Sequence, residues 1–220
     1  MTLNREFSMN KNSSFVTSLE EYDKTRVKVY IDGKFAFVLY KSELRSLEIK
    51  QDEVISQETL QEVYEKLLPL RGKKRALNLL QKKSYTEKQL RDKLESGFYP
   101  DEIIDIIIEY VKQYHYIDDL QYAKDYITYY SEYRSRGRIE MDLWKKGIEK
   151  EIVKDAYYAL NEDTELTDET VLIKAILEKK HYDYDMAGYE EKQKMTAYLY
   201  RKGFQIDKIH QMLEKQSVSS

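Results

Sequence analysis

The sequence predicts a mainly α-helical protein, built as tandem three-helix repeats in an elongated, curved array and preceded by a small segment containing a β-hairpin. Three observations predict it. Of 220 residues, 35% are charged while Gly and Pro number only seven and two, and mean hydropathy is −0.74, a composition suited to solvated amphipathic helices. Asp32-Gly33 separates two runs of β-branched and aromatic residues. Beyond Pro69 the pattern is helical, and a corner motif occurs three times.

Residues 1–14 and 217–220 are polar and aperiodic, so both ends are expected to fray. Residues 15–20 read as a strand. Arg26–Ile31 and Lys34–Tyr40 flank Asp32-Gly33, a pair that tolerates the positive φ angles of a two-residue hairpin turn. In residues 57–68, Leu60, Val63, Tyr64, Leu67 and Leu68 fall at helical spacing behind Ser56 as N-cap, and Pro69 is expected to end the helix.

The repeated unit reads Gly, apolar, two variable residues, acid, one variable residue, then Ile or Val. It appears as Gly97-Phe98-Tyr99-Pro100-Asp101-Glu102-Ile103, as Gly147-Ile148-Glu149-Lys150-Glu151-Ile152-Val153, and as Gly203-Phe204-Gln205-Ile206-Asp207-Lys208-Ile209. Each Gly follows a short helix ending near Leu94, Leu143 or Leu199. Glycine supplies a left-handed residue after a helix, the next apolar side chain packs back, and the acid suits the first turn of the next helix. All three glycines are therefore expected at positive φ.

Gly97, Gly147 and Gly203 stand 50 and 56 residues apart, room for about three helices per unit. In the first unit, Ala76, Leu77, Leu79 and Leu80 mark one helix. Leu90 and Leu94 mark the second, and Ile103, Ile104, Ile107, Ile108 and Val111 the third. Thr86 with Gln89 suits a capping box, and Pro100 suits the first position of the third helix. Leu120, Ala123, Tyr126, Ile127 and Tyr130 open the next unit. The expected organisation is an extension over 1–70 and repeats over 71–116, 117–161 and 162–220. Units this small bury little surface alone, so they should stack. The glycines and apolar positions then report fold rather than function.

Chemistry is sparse. Without cysteine there is no disulfide, thiolate nucleophile or common Cys-based zinc site. His115, His181 and His210 form no ligand pattern, so no metal is expected. Asp118-Asp119 reads as a helix cap before a general base, and the acidic stretch at 161–165 fits no nuclease or phosphatase pattern. No phosphate-binding glycine motif occurs, so neither a cofactor nor an enzymatic activity is expected. The absence of an apolar run of signal-peptide or membrane-span length points to a cytoplasmic protein.

Net charge is −3, so any anionic partner must be met by local clustering. Residues 69–99 hold nine basic residues against three acids, and the candidates for a partner surface there are Arg71, Lys73, Lys74, Arg75, Lys82 and Lys83. A second group, Arg134, Arg136, Arg138, Lys145 and Lys146, follows Tyr129, Tyr130 and Tyr133. Such residues contact phosphate or acidic protein surface, or simply form a solvated face. Both groups lie before or within the middle helix of their unit, so stacking would align them on one concave face.

Tyr116-Ile117-Asp118-Asp119, Tyr122-Ala123, Tyr126, Arg136-Gly137-Arg138-Ile139, Asp142-Leu143 and Lys146-Gly147-Ile148 together resemble the central signature of the RecX family. Residues 76–80 and 86–94 resemble the family's first unit, and residues 167–213 match more loosely. His115 stands where the family favours Gly, Asp142 where Glu is more usual, and the basic turn lacks a common Pro. The segment carrying the hairpin is similar to extensions of longer Gram-positive members. The resemblance implies a monomeric, non-catalytic modulator lying in the groove of a RecA filament. Such a protein inhibits the ATPase, filament extension and strand exchange, and has single- or double-stranded DNA as a further contact and no membrane partner. The competing class is a helical-repeat DNA-binding or scaffold protein that masks nucleic acid.

Overall fold

The computed structural model describes residues 14–163 and 168–214. Apart from Ser14, the ends expected to fray lie outside the described residues, as do the side chains of the 161–165 stretch. The chain divides into two compact units, one from Met1–Lys83 with Leu90–Tyr116 and one from Ser84–Gln89 with Ile117–Ser220.

In the first unit, β1 (Ser14–Glu21), β2 (Arg26–Ile31), β3 (Lys34–Tyr40) and the two-residue β4 (Val54–Ile55) form an antiparallel sheet in the order β3-β2-β1-β4. Asp32 and Gly33 turn the hairpin with φ of 49° and 77°, as the dipeptide predicts. Val16, Val27, Val29, Phe37 and Leu39 are buried, and Phe37 meets Tyr64 edge-on at 5.5 Å. Helix α1 (Lys41–Ser46) follows β3 directly, its start fixed by Glu43 accepting from the Tyr40 N–H.

Pro69 does not end the following helix. Ser56 caps α2 (Gln57–Gln61), which runs into a π-helical stretch (Glu62–Leu67) and then α3 (Leu68–Leu80). The Leu68 N–H reaches back five residues to the Val63 carbonyl. That wider turn lets the chain pass a proline that would break a regular α-helix. Helices α4 (Glu87–Glu95) and α5 (Asp101–Gln113) complete the first three-helix repeat. Thr86 and Gln89 form the expected reciprocal cap, while Pro100 is the N-cap of α5 itself.

The second unit holds α6 (Asp119–Tyr130), α7 (Arg136–Lys145), α8 (Lys150–Asp163), α9 (Glu169–Lys179), α10 (Tyr189–Arg201) and α11 (Ile206–Leu213). Asp118 caps α6 through the Gln121 N–H. Ala123, Ile127, Ile139, Leu143, Ile148 and Val153 form one core, and Ile173, Leu177, Leu199, Phe204, Ile209 and Leu213 another.

The three corners share one geometry, anchored on leucine rather than glycine. Tyr99, Ile148 and Phe204 donate their N–H groups to the carbonyls of Leu94, Leu143 and Leu199, five residues back, closing a Schellman motif. The left-handed residue is Gly147 (φ 87°) and Gly203 (φ 90°) in two corners but Phe98 (φ 62°) in the first. Gly97 precedes that position, so the expectation of a positive φ there is corrected. Tyr99, Ile148 and Phe204 are the buried residues that pack back. His115 and His181 end α5 and α9 in the same way, at φ of 54° and 50°, with Tyr116 and Tyr182 donating to Val111 and Leu177.

Candidate partner-binding surface

The starts of α4 and α7 are each fixed by a joint whose acceptors come from residues distant in sequence. Within the second unit, the buried Thr86 hydroxyl donates to the Lys146 carbonyl at 2.6 Å, while Asp119 accepts from the Glu87 N–H at 2.9 Å. The same joint recurs around α7. The buried Ser135 hydroxyl donates to the Lys202 carbonyl at 2.5 Å, and the Glu169 carboxylate accepts from the Arg136 N–H at 2.6 Å. In each joint a hydroxyl caps its own helix and also grips the carbonyl before a left-handed glycine. A Cβ on Gly137 would lie 2.6 Å from the Gly203 carbonyl oxygen, so the glycine of the basic turn serves close backbone approach rather than phosphate binding. The first corner meets the sheet instead. Phe98 packs edge-on to Tyr22 at 4.8 Å and Phe35 at 6.0 Å, with the Lys28 ammonium over its ring.

The predicted basic residues divide by environment. In the first unit Arg71 is a structural tie: it pairs with Glu43 at 2.8 Å, donates to the Val38 carbonyl and lies over the Tyr40 and Tyr99 rings. Its side chain is only 19% exposed. Arg75 is half-buried and its guanidinium reaches the Lys93 carbonyl. Lys73 covers the Tyr110 ring, and Tyr110, Tyr114 and Tyr116 form a short ladder. Lys74, Lys82 and Lys83 are exposed.

In the second unit Arg134 bonds Asp142 at 2.7 Å and the Tyr126 hydroxyl, and stacks over Tyr130 at 4.1 Å. Burial, with the nearby Asp142 charge, pushes the Tyr126 phenol above its ordinary pKa. Arg136 pairs with Glu140 and covers Tyr157, whose phenol burial holds well above the usual range. Lys146 lies over Tyr122 and Tyr126. Arg138, 50% exposed at its side chain, pairs with Asp142 at 3.4 Å, and Lys145 is exposed.

A tyrosine ladder, Tyr122, Tyr126 and Tyr130, thus sits beneath Arg134 and Lys146. Its spacing of four along α6 is the available signal, although Tyr126 and Tyr130 read from sequence as apolar positions opening the unit. A cleft of about 420 Å³, lined by Arg134, Arg136, Tyr157, Glu169 and Lys208 among others, lies beside the Ser135 joint. Lys208 had no sequence signal, because only the fold brings it to Asp168 and Glu169. Among the described residues no group of three or more His, Cys, Asp or Glu could hold a metal ion. No described helix is long and apolar enough to cross a membrane.

Comparison with known proteins converges on one family. Residues 73–110 match the model of the first three-helix domain of RecX, and residues 167–213 that of its third. The regulatory protein RecX of Caldanaerobacter subterraneus subsp. tengcongensis is 31% identical over 200 residues, covering 90% of this chain and 98% of the relative. That of Clostridioides difficile is 28% identical over 204 residues, covering 91% and 94%. A crystal structure of a regulatory protein RecX superposes with a TM-score of 0.59 at 23% identity, covering 90% of this chain and 98% of that one. RecX from Lactobacillus salivarius gives 0.55 at 25% identity, over 66% and 94%. With two matched three-helix domains, a matched fold and 31% identity over 90% of its length, this chain belongs to the RecX family of regulatory proteins.

Proposed function

We propose that this protein regulates DNA repair and recombination by binding the RecA nucleoprotein filament, where it inhibits ATP hydrolysis, filament extension and strand exchange. The observation that carries this reading is the twice-repeated joint, which locks the starts of α4 and α7 onto distant helix ends while Arg138 and Lys145 remain exposed. Repeats over 71–116, 117–161 and 162–220 each bring a helical surface that can meet a filament protomer. No catalytic step is assigned to it.

The contacts are Lys74, Lys82 and Lys83, supported by Lys73 and Arg75, in the first unit, and separately Arg138 and Lys145, supported by Arg136 and Lys146, in the second. Arg71 and Arg134 hold the fold beneath them. DNA contact is a second reading, favoured by the Tyr110, Tyr114 and Tyr116 ladder beside Lys73, since exposed aromatic rings stack bases. Charge reversal tests the first reading. The pair Arg138→Glu with Lys145→Glu should fold normally and inhibit the RecA ATPase about tenfold less well, with a weaker salt dependence. Inhibition at wild-type protein concentrations would remove this surface from the mechanism.

A further inference from the structure

The starts of α4 and α7 each receive a helix end whose last turn is basic: Lys145-Lys146-Gly147 at Thr86, and Arg201-Lys202-Gly203 at Ser135. The start of α10 holds the equivalent place in the third repeat, and no described residue seats such an end there. Its N-cap, Gly188, is extended like Ser135, makes no side-chain cap, and has open space where a Cβ would stand. Around it Met186 and Tyr189 are 81% and 79% exposed, with Tyr184 at 38%.

The charge at this face is complementary to the basic helix ends that the other two joints hold. Between His181 and Lys192 the chain carries Asp183, Asp185, Glu190 and Glu191 and no Lys or Arg, where α7 begins instead with Arg136 and Arg138. Tyr182, which packs edge-on to Tyr184 at 5.1 Å, is 7% exposed, and its hydroxyl is buried without a hydrogen-bond partner. A buried hydroxyl left unmatched is a donor awaiting an acceptor. An acidic surface bearing exposed aromatic and methionine side chains repels phosphate and suits protein.

We propose that the face formed by Tyr184, Met186, Gly188 and Tyr189 docks a helix C-terminal corner with a basic last turn on a RecA protomer. The docking continues, between molecules, the joint that this chain makes twice within itself. The inference rests on the filament-binding reading above, and assigns the third repeat a protein contact separate from the basic residues.

The test measures equilibrium binding of full-length protein to RecA filaments on single-stranded DNA and, separately, to the naked DNA. Replacing Tyr184, Met186 and Tyr189 together by Ala should weaken filament binding about tenfold, leaving binding to naked DNA and the melting temperature unchanged. Glu190→Lys with Glu191→Lys should weaken filament binding similarly, although it makes the protein more basic. Gly188→Ser, which supplies the hydroxyl that Thr86 and Ser135 use, should tighten it severalfold. Variants binding filaments as wild type does, or losing naked DNA in parallel, would overturn the inference. A wild-type protein that prefers naked DNA to filaments would overturn the filament-binding reading itself.

Discussion

Replacing Ser135 by Ala removes one oxygen and two functions. The Ser135 hydroxyl accepts from the Arg138 N–H to cap α7 and donates to the Lys202 carbonyl 67 residues away. Loss of an N-cap costs about 1 kcal/mol. Leaving a carbonyl without its donor, beside a residue only 2% exposed where water cannot readily enter, costs about 1–2 kcal/mol more. The expected loss is about 2–3 kcal/mol, confined to the second unit. Trp144, the single tryptophan, lies in that unit, so urea unfolding followed by its fluorescence reads the relevant transition. Ser135→Thr keeps the hydroxyl, as Thr86 does in the equivalent joint, and should recover more than half of the loss. Stability within about 0.5 kcal/mol of wild type for Ser135→Ala would refute the joint as a source of stability.

Further substitutions probe the corners and the ties. Gly147→Ala should destabilise by about 2 kcal/mol or more, because φ is 87° and the new Cβ would lie 2.3 Å from the Lys88 Cβ; urea titration measures it. His115→Gly should stabilise by about 0.5–1 kcal/mol, relieving a left-handed residue that carries a side chain, and a lowered urea midpoint would contradict that account. Arg71→Ala should destabilise the first unit by about 2–3 kcal/mol through loss of a largely buried ion pair, while leaving inhibition of RecA intact below the melting temperature. Chelator should not move the melting temperature, and a shift of several degrees would reveal a bound metal.

The elements legible in the sequence are those specified by neighbouring residues. Asp32-Gly33, the Ser56 and Asp118 caps and the Thr86–Gln89 box act over two to four positions, and each forms as read. Pro69 was misread because a π-helical turn, which leaves no periodic signature, lets the helix continue through it. Alignment on glycine displaced the first corner by one residue, since left-handed geometry falls four positions after the leucine whatever residue stands there. The Phe98 ring then gains its contacts from the sheet. His115 and His181 belong to no ligand pattern in the sequence, and their role as left-handed helix ends emerges only from backbone angles. The joints, spanning 60 and 67 residues, have no local code. For the same reason the basic residues could be gathered from sequence but not sorted, because the partners of Arg71 and Arg134 arrive through folding.

Stoichiometry tests the central claim most directly. In a titration of RecA ATPase on single-stranded DNA, a filament regulator acts through the filament and should suppress turnover when it is well below one molecule per RecA protomer. Suppression that begins only when there is enough protein to coat the DNA would contradict the account and identify the protein as one that masks nucleic acid.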